Sequence, residues 1–263
     1  EKLADFANDK NIWLIEDNCD ALGSEYKNQL TGTFGNISTL SFYPAHHITM
    51  GEGGAVMTNS NSLKLSIDSF RDWGRDCWCK SGHDNTCNKR YDWQLGELPY
   101  GYDHKFTYSN IGYNLKATDL QASVGVAQMK KLENFILQRK HNWSEINNFI
   151  SKKQDYFIPH TPTEDSSPSW FGYAITVKEK APFKRDELIK FLNENRIDTR
   201  LMFGGNLIKQ PAYANKNYKV VGNLENADIV MNNTFWIGVY PGITDEMIDY
   251  IKQVFDKFLE SFK

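Results

Sequence analysis

The stretch that decides the fold is residues 39–58, TLSFYPAHHITMGEGGAVMT. Residues 39–43 predict a short strand that ends at Pro44, because proline has no N–H to donate to a β-ladder. Gly51, Gly53 and Gly54 then form a turn in which the missing side chains allow the backbone to approach a ligand closely. Residues 55–58 predict the next strand.

Upstream of this stretch, residues 12–15 form the apolar run Ile-Trp-Leu-Ile, which ends in Glu16 and Asp17. Such a run predicts a strand that is buried on both faces, as in the parallel sheet of an α/β protein. Ligands of open α/β sheets bind beyond the carboxyl ends of the strands. Asp17 is therefore expected at the edge of a site.

Two motifs, LIED at residues 14–17 and SFYP at residues 41–44, precede the glycine-rich turn. Together they resemble the DegT/DnrJ/EryC1/StrS sugar aminotransferase family, whose members use pyridoxal phosphate (PLP). The resemblance runs along nearly all of the chain. It implies an α/β protein with the type I, aspartate aminotransferase-like fold of PLP-dependent transferases, here as an N-terminally truncated portion.

In that family, the residue five places after the strand serine, Ser41, is the lysine that binds PLP covalently. This sequence has His46 there, and histidine cannot form that bond. The replacement resembles a branch of the family, the sugar-nucleotide 3-dehydrases that use pyridoxamine phosphate (PMP). A lone histidine is more often structural, and His47 is an alternative. Imidazole titrates near neutrality, so His46 is expected to shuttle a proton.

The resemblance also implies contacts to the cofactor. Asp17 matches the aspartate that pairs with the pyridine nitrogen, where an anion keeps the ring protonated and a better electron sink. Ser41 matches a phosphate-binding serine, and Asn114 lies in a turn that reaches the cofactor of a neighbouring subunit. Tyr43 and Asp20 are secondary catalytic candidates. The alternative for each is an ordinary structural role in a strand, turn or helix start.

The four cysteines are Cys19, Cys77, Cys79 and Cys87, with one residue between the second and third and seven between the third and fourth. From the residues alone, disulfides, a zinc site that includes His83, and four unrelated buried thiols remain open. The resemblance implies that all four cysteines bind a 2Fe–2S cluster, as in the iron–sulfur members of the 3-dehydrase branch.

The resemblance implies CDP-4-keto-6-deoxy-D-glucose as substrate. Since the sequence has no dinucleotide fingerprint, an NADH-dependent iron–sulfur flavoprotein reductase is expected to supply electrons, and a homodimer is expected. Arg200 and Asn206 are candidate substrate contacts, although an exposed, solvated arginine is an equal alternative. Two other functions stay open: a cluster-free GDP-sugar 3-dehydrase, and a non-catalytic relic that binds a sugar nucleotide or a metal.

The composition excludes some classes of function. A net charge of −3 and a pI near 6.1 give no general case for binding nucleic acid. No apolar run approaches the roughly 18 residues of a membrane span, so a cytoplasmic protein is expected. The chain begins within a helical pattern and without an initiator Met. We therefore interpret it as the C-terminal part of a longer protein.

The predicted domains are 1–150, the C-terminal part of a cofactor-binding domain, and 151–263, a small α/β domain. The first includes a cysteine loop at residues 72–114 and a bridging helix. This helix begins at a capping box formed by Thr118 and Gln121 and runs to about residue 150. Long loops of this kind are usually functional or disordered. Other predicted elements are a helix at Asn61–Arg71, strands at 171–177 and 234–239, and helices at 184–195 and after Thr244.

Overall fold

The structure is a computed structural model that describes residues 1–80 and 82–262. Contacts between Cα atoms divide the chain into two compact units. The first contains residues 1–19 and 31–130, and the second contains residues 20–30 and the chain from residue 131 onward. These limits differ from the predicted domains, because the helix that ends at Ile150 packs with the second unit. The domain limits of the whole protein stay a prediction.

The chain contains both helices and strands, in groups rather than in strict alternation. In chain order they are α1 (Lys2–Asp9), β1 (Ile15–Asp17), β2 (Glu25–Tyr26), β3 (Gln29–Leu30), β4 (Ile37–Ser41), β5 (Gly54–Met57), α2 (Asn61–Arg71), α3 (Asp119–Met129), α4 (Leu132–Ile150), β6 (Phe157–Ile158), β7 (Ser166–Ser167), β8 (Gly172–Val177), α5 (Arg185–Glu194), β9 (Thr199–Leu201), α6 (Glu225–Asn233), β10 (Thr234–Gly238) and α7 (Asp245–Glu260).

The first unit is built on a three-stranded sheet of order β1-β4-β5. Strand β1 runs parallel to β4, with Asp17 opposite Thr39, and β5 runs antiparallel to β4, with Ser41 opposite Gly54. A Cβ atom on Gly54 would lie 2.7 Å from the Leu40 carbonyl oxygen, so glycine is required at this pairing. The register places the polar ends of β1 and β4 side by side.

The prediction that the first strand is buried on both faces was wrong within this chain. Ile12 and Ile15 are 52% and 57% exposed, and Trp13 is also exposed. The physical reason is that no described element packs over these side chains, and β1 is also an edge strand of its sheet. Of the described residues in the first unit, the fully buried apolar side chains are Ala7 and Ile48.

The predicted bridging helix is two helices, α3 and α4. Its predicted start is confirmed, since the Gln121 N–H donates to Thr118 Oγ1 and the Thr118 N–H donates to Gln121 Oε1. The chain departs from regular helical geometry at Lys131, where φ is −107° and ψ is −7°. The break separates a helix of the first unit from one of the second.

The second unit contains an antiparallel sheet of order β6-β8-β10-β9 and a small sheet of order β3-β2-β7. Side chains along β8 alternate between buried and partly exposed, as expected for a sheet with one covered face. Its core includes four fully buried aromatic side chains, Phe157, Tyr173, Phe235 and Phe255.

Helix α7 covers this sheet, as the sequence predicted. Thr244 caps the helix by accepting a hydrogen bond from the Met247 N–H, and Phe255 packs 6.1 Å from Phe157 between ring centroids. Within the described part of the chain, no helix combines the length and the apolar character needed to cross a membrane.

Candidate active site and cysteine loop

Asp17 lies exposed at the end of β1 and is the centre of a small hydrogen-bonded group. Its carboxylate accepts hydrogen bonds from the Cys19 backbone N–H at 3.2 Å and from Thr39 Oγ1 at 3.3 Å. These contacts hold the pKa of Asp17 below its ordinary value. The largest cause is the hydrogen bond from the Cys19 side chain, followed by the Cys19 backbone N–H, with smaller contributions from Thr39 and the charge of His46. Asp17 is therefore an ionised carboxylate at neutral pH.

Glu16, beside Asp17, is a structural residue that the sequence reasoning missed. Its carboxylate accepts three backbone hydrogen bonds, from the N–H groups of Gly32 and Phe34 at 2.7 Å and of Gly35 at 2.6 Å. These bonds tie the end of β1 to the following turn and fix the backbone that carries Asp17. A glutamate at a strand end and a glycine-rich turn about sixteen residues later were the available signal.

The turn after β4 holds the next three candidates. The His46 backbone N–H donates to the Tyr43 carbonyl oxygen at 3.0 Å, and the two rings meet edge to face with centroids 6.2 Å apart. Ser41 Oγ accepts a hydrogen bond from the Tyr43 N–H at 3.4 Å. His46 is partly exposed, whereas His47 is 3% exposed. The structure thus brings His46 into the neighbourhood of Asp17, whose pKa its charge lowers.

Three other predicted polar site residues belong to the second unit. Asp20 is exposed and belongs to the second unit. Also in that unit, Arg200 is exposed and pairs with Asp198 at 2.6 Å. The buried Asn206 donates its amide to Asp228 Oδ1 at 2.8 Å. Their roles at the site stay predictions.

The base of the cysteine loop is closed by two isolated β-bridges. Asp72 pairs with Asn114, and Arg75 pairs with Tyr108. Gly74 between them has φ +84°, and a Cβ atom there would lie 1.8 Å from the Asn110 carbonyl oxygen. Only glycine fits this position. The exposed Asn114, a predicted cofactor contact, is thus part of the base of the loop.

Three of the four cysteines line one cavity of about 70 Å³ inside this loop: Cys77, Cys79 and Cys87. None of the three is in a disulfide. The pKa of Cys79 is lowered to about 7, first by a hydrogen bond from the Thr86 side chain. Burial raises the pKa of Cys77. The loop therefore contains one thiol that ionises near neutrality beside one that resists ionisation.

Cys19 is not among the described residues that line this cavity. Its Sγ lies 3.7 Å from Thr39 Oγ1, in the group around Asp17. His83, the fourth ligand of the zinc alternative, is exposed. Within residues 1–80 and 82–262, no group of three or more His, Cys, Asp or Glu side chains is arranged to hold a metal ion. The loop supplies soft thiol donors, but the four-cysteine ligand set stays a prediction.

His104 is a further residue of this loop that the sequence reasoning missed. Its side chain is 1% exposed, with Nε2 at 2.6 Å from Asp76 Oδ2 and Nδ1 at 3.9 Å from Cys87 Sγ. It also lines the cavity of the three cysteines. Its distance along the chain from Cys87 gave no motif by which to find it.

Comparison with known proteins gives the family. Residues 1–256 match the model of the DegT/DnrJ/EryC1/StrS aminotransferase family. The lipopolysaccharide biosynthesis protein RfbH of Salmonella typhimurium is 58% identical over 94% of this chain and 57% of its own length. The dTDP-4-dehydro-2,6-dideoxy-D-glucose 3-dehydratase of Saccharopolyspora spinosa is 51% identical over 98% of this chain and 56% of its own length. The chain spans little more than half the length of these two relatives.

A solved structure of similar fold is the GDP-4-keto-6-deoxy-D-mannose-3-dehydratase of E. coli with bound hydrated PLP. It has a TM-score of 0.79 and 26% identity, and the match covers 96% of this chain and 62% of that one. The predicted fold class is thereby confirmed. The chain belongs to the DegT/DnrJ/EryC1/StrS aminotransferase family and has the fold of its PLP-dependent members.

Proposed function

We propose that the protein is a PMP-dependent sugar-nucleotide 3-dehydrase that removes the C3 hydroxyl of CDP-4-keto-6-deoxy-D-glucose during 3,6-dideoxyhexose biosynthesis for lipopolysaccharide. The observation that carries the proposal is His46, which stands where the family has its PLP-binding lysine and lies near the ionised Asp17. A relative named for lipopolysaccharide biosynthesis and another named as a 3-dehydratase support it.

The residues around Asp17 fit a pyridine cofactor. A carboxylate whose hydrogen bonds keep it ionised is the partner that a protonated ring nitrogen needs. Ser41 would hold the cofactor phosphate, and Asn114 would reach it from a second subunit. When bound, PMP supplies an amine for the C4 ketone of the sugar and a ring that accepts electrons.

His46 would take and return a proton at the C4′ carbon of the cofactor. His46 lies in a turn that is held by the hydrogen bond from the His46 backbone N–H to the Tyr43 carbonyl oxygen. The His46 ring is partly exposed, so a ligand can reach it. A positioned acid or base of this kind typically contributes about 10²–10⁴-fold to the rate. Tyr43, half exposed and against the His46 ring, and Asp20 are secondary candidates for proton transfer.

Loss of the C3 hydroxyl must be followed by reduction with two electrons. We propose that Cys19, Cys77, Cys79 and Cys87 would hold a 2Fe–2S cluster, which would supply one-electron chemistry, and that an NADH-dependent iron–sulfur flavoprotein reductase would be the source of the electrons. Three of these thiols line one cavity, and thiolates are the usual ligands of such clusters, whereas Cys19 lies beside Thr39 and outside that lining.

A homodimer completes the proposed site. Ile111, Tyr113 and Leu115 flank Asn114 and are 96%, 66% and 67% exposed. Exposed apolar side chains next to a predicted intersubunit contact support a second copy of the chain as their partner. Arg200 and Asn206 are proposed to contact the sugar nucleotide from the second unit.

A cluster-free GDP-sugar 3-dehydrase is the second candidate. Two observations favour it: the described residues contain no group arranged for a metal, and the E. coli structure of similar fold acts, by its name, on a GDP sugar. In that case His46 and Asp17 have the same roles, and the three loop thiols are structural.

The test is an absorption spectrum of full-length protein purified without oxygen, with iron, zinc and inorganic sulfide measured on the same sample. Each cysteine is then replaced by Ser, and reductase-coupled turnover of the CDP sugar is compared with isotope exchange at the cofactor carbon without reductase. We expect iron and sulfide in the wild type, their joint loss in every variant, and loss of coupled turnover with exchange retained.

Each alternative has its own outcome. Turnover of a GDP sugar without iron or sulfide supports the second candidate, and zinc without sulfide supports a structural metal site. Failure to turn over either sugar, despite bound cofactor, rejects the enzyme proposal and favours the non-catalytic relic. Four Ser variants with full coupled activity reject the role of the cluster.

A further inference from the structure

The cysteine loop contains three side chains in contact one after the other: Asp76, His104 and Cys87. Asp76 Oδ2 lies 2.6 Å from His104 Nε2, and Cys87 Sγ lies 3.9 Å from His104 Nδ1. Both ring nitrogens of the buried histidine therefore face a polar partner. This arrangement directs one nitrogen of the ring at a single cysteine of the cavity.

The surroundings of His104 leave its ring little freedom to turn. The centroids of the Trp78 and Trp93 rings lie 5.2 and 5.3 Å from that of His104, the first edge to face and the second tilted. The histidine itself is 1% exposed. A ring packed between two indoles keeps the direction in which its nitrogens point.

Two cations near this contact, Arg90 and Lys105, have carboxylate partners of their own. Arg90 makes two hydrogen bonds to Asp103, at 2.9 and 2.8 Å, and Lys105 binds Asp84 at 2.7 Å. Asp76 thus remains the carboxylate that orients His104.

We infer that His104, oriented by Asp76, is a positioning residue that holds Cys87 towards the cavity shared with Cys77 and Cys79. The inference rests on the proposed function, since it gives the metal-binding loop a pre-set ligand. A carboxylate–histidine pair behind a ligand is a recurrent way to orient a metal site, and loss of such a partner typically costs about 10–100-fold in metal affinity.

Two substitutions separate the two contacts of the ring. The amide of His104→Gln reaches about as far as Nε2, so it keeps the bond to Asp76 and loses the contact to Cys87. The amide of His104→Asn reaches about as far as Nδ1 and does the reverse. His141→Gln is the matched control, because His141 pairs with Asp245 at 2.7 Å on the exposed surface of the second unit.

The experiment measures the cadmium affinity of full-length protein from which bound metal has been removed. Binding is followed by the ultraviolet absorption of the thiolate-to-cadmium charge-transfer band. The midpoint potential of the cluster is measured on protein isolated without oxygen. We expect His104→Gln to weaken cadmium binding about 10–100-fold and to shift the potential. We expect a smaller loss of affinity in His104→Asn and no change in His141→Gln.

Unchanged cadmium affinity and potential in His104→Gln would overturn the inference, as would a greater loss in His104→Asn than in His104→Gln. Circular dichroism and thermal unfolding of every variant verify that the loop and the fold are retained. A wild type that binds neither iron with sulfide nor cadmium overturns the cluster proposal and this inference together. Tight binding by the wild type with equal binding by the variants overturns the inference alone.

Discussion

Thr39 Oγ1 donates a hydrogen bond of 3.3 Å to the carboxylate of Asp17 across the parallel strands β1 and β4. The two residues are register partners, so the sheet itself builds the contact. The same hydroxyl lies 3.7 Å from Cys19 Sγ. One side chain thus touches both the proposed anchor of the cofactor ring and a proposed cluster ligand.

Asp17→Asn should reduce turnover by the full-length enzyme on the order of 10²–10³-fold, the usual effect of removing one preorganised electrostatic group. The substitution preserves shape but removes the anion that keeps the ring nitrogen protonated. Steady-state kinetics measure the loss, and circular dichroism verifies the fold. Near-normal turnover would assign Asp17 to structure.

In metal-free protein, in which Cys19 keeps its thiol proton, Thr39→Val should shift the acid limb of the pH profile of isotope exchange at the cofactor carbon to higher pH. The pKa of Asp17 is lowered mainly by Cys19 and in part by Thr39, and losing the hydroxyl raises it. Because the carboxylate must be ionised, activity is retained above this pKa and lost as the pH falls through it. An acid limb that does not move would show that Thr39 leaves the ionisation of Asp17 unaffected.

His46→Lys should allow the protein to bind PLP covalently and should abolish dehydration, because it restores the family's lysine and removes the proton carrier. Reduction with borohydride followed by mass spectrometry detects the attached cofactor. His46→Asn should lower turnover about 10²–10⁴-fold. His47→Asn should be milder in turnover, with its stability measured separately because His47 is buried. If borohydride attaches no cofactor to the lysine variant, the position is wrongly assigned.

Cys79 should be the loop cysteine that is alkylated most readily at neutral pH in metal-free protein. Its pKa is about 7, chiefly because Thr86 hydrogen-bonds to it, so its reactive thiolate forms as the pH rises through this value. Thr86→Val should raise the pKa and slow alkylation at pH 7, measured by mass spectrometry of each peptide. Cys77 is the internal comparison, since burial raises its pKa. Equal rates for the two thiols at pH 7 would contradict the prediction.

Phe255→Ala should lower the free energy of unfolding of the second unit by about 3–5 kcal/mol, the usual cost of removing a buried phenylalanine. The ring is fully buried between α7 and the sheet. Met247→Ala, at an exposed position of the same helix, should change it by no more than about 0.5 kcal/mol. Urea unfolding followed by circular dichroism measures both, and similar losses would show that α7 is not held by its buried face.

The sequence predicted the helices whose starts and ends are set by local signals, such as capping residues, that the packing of the chain does not override. Helix α2 lies at Asn61–Arg71 as predicted, and the capping box at Thr118 is present. The exposure of Ile15 could not be predicted, because an apolar run has the same pattern whether a neighbouring surface covers it or not. Nor could the break at Lys131 be read from a continuous helical pattern.

For the site, motif positions led to Asp17 and His46, which the structure brings near each other. The sequence offered no route to His104, because its partners are brought close only by chain folding, whereas the glycine-rich turn after Glu16 was a usable signal. A spacing pattern likewise could not show that Cys19 contacts Thr39 or that the three loop thiols line one cavity. Spacing records distance along the chain, whereas ligand sets depend on distance in space.

The glycine at position 74 has a consequence for how this family diversifies. The close approach of Gly74 to the Asn110 carbonyl lies at the base of residues 72–114, a segment whose two ends meet at one pair of bridges. Such a segment can be lengthened, rebuilt or exchanged in evolution while the neighbouring sheet keeps its register. Acquisition or loss of the proposed cluster on this scaffold would then need changes in this segment together with position 19, and an engineer would have to transfer both.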